Sequence, residues 1–250
     1  MTYTMHGKYV VAILAMAGLG LLSPAQAAPP GVVACGDILG PEGGEFMMTK
    51  DLICSENPAL TVFGPGTSLD MKGHTLECVG GDKDDIGIDV LGERAVVSNG
   101  TITSCGDNGV HVCSGDLVNE CPLSGDGNHR ISGLTITSDG TVGDDGIDVD
   151  SNNNRIFNNI VTGWPDKGIL IDADTQGNQV ILNYLTGNNT GIETDVGATD
   201  NIIHANTAIG NTNDSVNIDP VDLKDDGACD NDWSDNIFET SNPPGAGCIN

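Results

Sequence analysis

Thirty-six acidic residues against nine basic ones give this 250-residue chain a formal charge of -27. A surface so acidic repels nucleic-acid phosphates and anionic membranes, which excludes both as partners. Aromatic residues make up only 4%, which leaves few exposed rings to serve as stacking platforms.

The chain opens on a single basic residue near its start, Lys8, followed by an apolar run from Val10 to Leu22 and then Ser23-Pro24-Ala25-Gln26-Ala27. That order is the pattern of a secretory signal peptide over residues 1–27. The run is short of the ~20 residues a membrane span needs, and no later run is longer. The expectation is export to an extracellular or periplasmic space, with no membrane insertion after cleavage. All eight cysteines, Cys35, Cys54, Cys78, Cys105, Cys113, Cys121, Cys229 and Cys248, follow residue 27. An even count in an exported chain reads as disulfides.

From residue 59 onward a motif of small residue, apolar, any, apolar recurs. It reads Gly87-Ile88-Asp89-Val90, Gly109-Val110-His111-Val112, Gly146-Ile147-Asp148-Val149, Gly168-Ile169-Leu170-Ile171, Gly191-Ile192-Glu193-Thr194 and Ser215-Val216-Asn217-Ile218. The intervals are 22, 37, 22, 23 and 24 residues. The long one contains Cys113 and Cys121, and a bridge between them would close an excursion at its base. Period-two alternation, β-branched residues and Gly/Asn/Asp corners predict short strands and tight turns, with no helical period. A repeat of ~22 residues built this way is one coil of a parallel β-helix. Asn159, Asn183 and Asn206 recur at the same place in successive coils and predict a stacked asparagine ladder. Cys78 and Cys105 lie nearly one coil apart, within disulfide reach. The pairs Cys35/Cys54 and Cys229/Cys248 flank the repeats and are assigned to caps, over residues 28–58 and 222–250, around a β-helix over residues 59–221.

The Gly-Ile-x-Val and Asn-x-x-Ile-x-x-Asn texture resembles the right-handed parallel β-helix repeat proteins of the pectate-lyase-like superfamily. The resemblance implies an all-β solenoid and a carbohydrate ligand. It leaves lyase, hydrolase and epimerase open, because one scaffold carries them all.

Apolar residues of each motif face inward, so the residues between them face out. One outward column reads Asp89, His111, Asp148, Leu170, Glu193, Asn217; the next reads Leu91, Cys113, Asp150, Asp172, Asp195, Asp219. Carboxylates about 4.8 Å apart repel by about 1 kcal/mol per neighbour even in water, and Asp150, Asp172, Asp195 and Asp219 are therefore a candidate calcium site. Asp222, Asp225, Asp226, Asp230, Asp232 and Asp235 form a second acidic cluster. Copper and zinc are disfavoured, since His74, His111, His129 and His204 share no repeat position. For catalysis, Asp148, Asp150 and Asp172 are candidate acid–base groups. Arg155, Lys167 and Lys224 are candidate bases for elimination. Gly143-Asp144-Asp145-Gly146 resembles the Asp-Asp element of polygalacturonases, without their Gly-His-Gly and Arg-Ile-Lys elements downstream. Asp219-Pro220-Val221-Asp222 is similar to the Asp-Pro-His element of mannuronan epimerases, with Val221 in place of His. Trp164, Trp233 and Tyr184 are the candidate stacking platforms, with Tyr184 expected to pack inside. Two functions follow: a secreted protein that binds or acts on an extracellular polysaccharide through its acidic face, or a non-catalytic cell-surface or adhesive solenoid whose acidic columns bind calcium or simply solvate it.

Overall fold

The computed structural model describes residues 32–40, 42–79, 85–115, 121, 125–141, 143–211, 221–226, 229–242 and 248–249. The signal-peptide segment 1–27 and the expected strand at 215–218 lie outside them. The described residues form strands and turns without any helix, and all the strand pairing is parallel. Two sheets wind around one apolar core. Sheet A stacks nine described strands, one per coil: Ile38–Leu39, Leu60–Phe63, Ile88–Leu91, Val110–Val112, Ile147–Val149, Lys167–Ile171, Thr190–Thr194, Leu223–Asp225 and Ser241–Asn242. Sheet B takes the remaining strands, folded at a corner that runs down the stack. The expected β-helix is therefore present, and its pairing reaches into both segments assigned to caps, from Ile38 to Asn242.

Sequence explains both the strands and the corner. Ile147, Val149, Ile169, Ile171 and Ile192 are each fully buried, which leaves the residues between them outside. At the bend in sheet B one residue per coil is left-handed: Asn99, Gly133, Asn158, Leu182, Ala205 and Asp235. Asn, Gly and Asp tolerate that conformation, whereas Leu182 and Ala205 are held there by the coils on either side. The small residue of the motif is a packing requirement. A Cβ on Gly146 would stand 2.2 Å from a Val161 methyl and 2.6 Å from the Gly168 carbonyl oxygen. Trp164 fills the space below these glycines and is completely buried, so it is a core residue and not a stacking platform. Trp233 is buried too, while Tyr184 is 41% exposed, the reverse of the expectation for it.

The asparagine ladder is present and is one of three among the described residues. Asn159, Asn183, Asn206 and Asn236 each accept, through Oδ1, from the backbone or amide of the asparagine before them where one precedes, and Nδ2 donates to a carbonyl of the neighbouring coil. Asn154, Asn178, Asn201 and Asn231 form the second. Asn188 and Asn211 form the third, which ends on Asp222, whose carboxylate takes five hydrogen bonds from Asn211, Glu239 and Thr240. A carboxylate only accepts, so it terminates a ladder that an amide would continue.

All eight cysteines are paired: Cys35–Cys54, Cys78–Cys105, Cys113–Cys121 and Cys229–Cys248. These are the pairings the repeat positions anticipate. No described helix is long and apolar enough to cross a membrane.

Candidate active site

Polar chemistry concentrates on the outward side of sheet A, where neighbouring coils bring together residues far apart in sequence. His111 pairs in register with Asp89 on one side and Asp148 on the other. Its Nδ1 lies 2.9 Å from Asp89 Oδ1 and its Nε2 lies 3.1 Å from Asp150 Oδ2. Only the doubly protonated imidazolium donates from both nitrogens, so both contacts are satisfied when His111 is charged. Burial opposes that charge, but the hydrogen bonds to Asp150 and Asp89 outweigh it and hold the imidazole pKa up at about 10.

Three carboxyls meet beside it. Asp148, Asp150 and Asp172 each offer an oxygen within 4.8 Å of the others. Burial first, and then the charge of Asp150, pushes Asp148 up to about 7, while His111 acts in the opposite sense. Asp148 Oδ2 accepts from Asn108 Nδ2 at 3.2 Å; its Oδ1 has no partner among the described residues. Burial also works against Asp150, but its hydrogen bonds to His111 and Asp172 hold it below the usual carboxylate range. Asp172 is pushed up to about 6 by burial and by the neighbouring Asp150 carboxylate. Two adjacent carboxyls thus have acidities driven apart, one proton-bearing near neutrality and one ionised, which is how environments divide acid from base roles.

Below this trio, buried Asp145 accepts from the Lys167 backbone N–H at 2.8 Å, and burial raises its pKa well above normal. Lys167 Nζ contacts Asp166 at 2.6 Å, and Lys224 Nζ contacts Glu193 at 2.8 Å and Asp226 at 2.6 Å. Burial opposes both ammonium charges, yet the facing carboxylates raise both lysines above their ordinary range. Neither is therefore disposed to act as a base, and Arg155 stands on sheet B, away from the trio. A polar cleft of about 180 Å³ between Lys167, Thr190, Glu193, Lys224 and Asn242 continues the face toward the C-terminal coils.

The outward columns change at their C-terminal end. Leu223, Lys224 and Asp225 pair with Ile192, Glu193 and Thr194, so Lys224 stands where the repeat places Asn217. Asp226, whose N–H bonds the Thr194 carbonyl, stands beside Asp195 where the repeat places Asp219; Asp219 itself lies outside the described residues. Within the aspartate column, Asp150 accepts from His111, Asp195 accepts from its own turn at Val196, and Asp226 pairs with Lys224. The C-terminal acidic cluster also divides. Asp222 ends the ladder, and Asp225 faces inward and accepts from Thr194 and Trp233 Nε1. His129 is fully buried, accepts from the Ala95 N–H and is pushed down to about 4 by burial, so it is a neutral packing residue.

Sequence reading placed Asp148, Asp150 and Asp172 on this face but did not find the bridge from Asp89 through His111 to Asp150, or the roles of Asn108 and Asp145. The signal for the last two was present: each directly precedes the motif glycine, at Gly109 and Gly146.

A coiled stack of parallel strands around one apolar core defines a β-helix protein. The family profile described as right handed beta helix region matches residues 122–249, just over half of the chain, and the chain belongs to that family. No curated protein and no solved structure matches it.

Proposed function

We propose that this chain is a secreted protein that takes an extracellular polysaccharide along the outward face of sheet A and hydrolyses its glycosidic bonds. The divided acidities of Asp148 and Asp150 carry the reading. Asp148 is the general acid that protonates the leaving oxygen; Asp150, kept ionised by His111, is the carboxylate that attacks or stabilises the sugar cation. The ion-paired state of Lys167 and Lys224 disfavours elimination, which needs an unprotonated base. Four disulfides fit an oxidising extracellular or periplasmic compartment. The test is a screen of the secreted chain on neutral and uronate polysaccharides, reading reducing ends and unsaturated-product absorbance together. New reducing ends without unsaturated products support hydrolysis; unsaturated products contradict it.

A second reading is favoured by the trio's geometry. Three oxygens so close together, with Asp148 and Asp150 each presenting an Oδ1 that lacks a partner among the described residues, suit a hard cation such as calcium. The face would then be a calcium-stabilised binding surface without catalysis. Calcium at a hundred times its dissociation constant would stabilise the fold by about 2.7 kcal/mol, and Asp150→Asn with Asp172→Asn would abolish the gain. Equal melting shifts from calcium and from sodium chloride of the same ionic strength would sink this reading.

A further inference from the structure

We propose that Arg130 and Arg155, on the outward face of sheet B, form an anion-binding site for a carboxylate or sulfate group of an acidic polysaccharide, separate from the chemistry on sheet A. The two residues are register partners on successive coils, and both are exposed. Their guanidinium carbons lie 5.2 and 4.8 Å from the centroid of one ring, that of Phe157, inside the ~6 Å of a cation–π contact. Two like charges are thus gathered over a single aromatic ring, an arrangement that repels itself unless something negative joins it.

Acidic residues outnumber basic ones 36 to 9, so a carboxylate partner is easily supplied. Lys72, Lys167, Lys224 and Arg94 each have one within 4.0 Å. Arg130 and Arg155 have none among the described residues, a condition shared only by Lys50. The guanidinium fork matches a planar carboxylate or a sulfate with two parallel hydrogen bonds. Gln179 extends the arginine column by one coil and adds an amide to the same row. The sheet face is open, so a lone small anion gains little there. A polymer with acidic groups repeated along the coil axis can engage both forks at once and gains by multivalency. At about 0.15 M salt the Debye length of about 8 Å screens the distant acidic face and leaves the local positive charge in command.

The test is calorimetric titration of the full secreted chain with polygalacturonate, dextran sulfate and neutral dextran at about 0.15 M salt. The native chain should bind one or both polyanions and not dextran; binding in the uronate arm alone identifies the carboxylate, and in the sulfate arm alone the sulfate ester. Arg130→Gln with Arg155→Gln should weaken binding at least about tenfold, the loss of one charge-assisted hydrogen bond. Arg130→Lys with Arg155→Lys keeps the charge without the fork and should fall between. Asp195→Asn, on the outward face of sheet A, should bind as the native chain does, which separates this site from the acidic face. Failure of both polyanions to bind, or equal binding by the Gln pair, would overturn the proposal. So would concentration-dependent self-association that the Gln pair abolishes while neither polymer binds, since the occupant would then be the acidic face of a second copy.

Discussion

Asn183→Ala should lower stability by about 3–5 kcal/mol, which for a chain of this size moves the melting temperature by about 10 °C. Asn183 is buried; it accepts from Asn159 N and Nδ2, both at 3.0 Å, and its Nδ2 donates to the Ile156 carbonyl and to Asn206 Oδ1, also at 3.0 Å. Truncation strips the Asn159 N–H and the Ile156 carbonyl of these interior bonds, at about 1–3 kcal/mol each, and takes one of two from Asn159 Nδ2 and from Asn206 Oδ1. Tyr184→Ala, on the exposed side of the next residue, should cost under about 1 kcal/mol. Denaturant melts of the two variants check this. A loss below about 1 kcal/mol for Asn183→Ala would mean that water enters the ladder and replaces the amide.

Asp148→Asn should lower turnover on the polysaccharide by about 10²–10⁴-fold, the range of a lost general acid, with little change in substrate affinity or in the fold. The amide keeps the side-chain shape and can still bond Asn108, but it cannot deliver a proton. Asp195→Asn, one coil beyond Asp172 on the same face, should leave turnover within a few-fold. Initial rates and KM for the two variants decide the matter. An equal loss in both would point to general electrostatics of an acidic face, with no special role for Asp148.

The repeat was legible because two constraints coincide in the Gly-Ile-x-Val motif. Ile147 and Val149 must face inward at period two, and Gly146 must be small where Trp164 and Val161 close in. The sequence also ordered the face correctly as far as Glu193, since each coil there is 22 or 23 residues long except the one whose excursion the Cys113–Cys121 bridge closes. It failed in the next coil, where 31 residues separate Ile192 from its partner Leu223, and a motif-like segment at 215–218 drew the register to the wrong place. The second and third ladders were equally periodic in the sequence, but they begin at corners where asparagine is common for turn reasons alone. Trp164 misled because a Trp-Pro corner has the composition of an exposed platform, and only the glycines above it reveal a cavity for its ring. The link from Asp89 to Asp150 through His111 was out of reach, since it depends on which ring nitrogen meets which carboxylate across the 37-residue interval.

The pH dependence of cleavage by the native chain tests the division of roles between Asp148 and Asp150 most directly. Asp148 must hold its proton and Asp150 must have lost its own, so activity belongs between a low limb below the usual carboxylate range and a high limb at about 7. Bell-shaped kcat/KM on a cleaved polysaccharide, with the basic limb near neutrality and gone in Asp148→Asn, is the predicted result. A rate that keeps rising above about pH 8, as deprotonation of a lysine base gives, would contradict it.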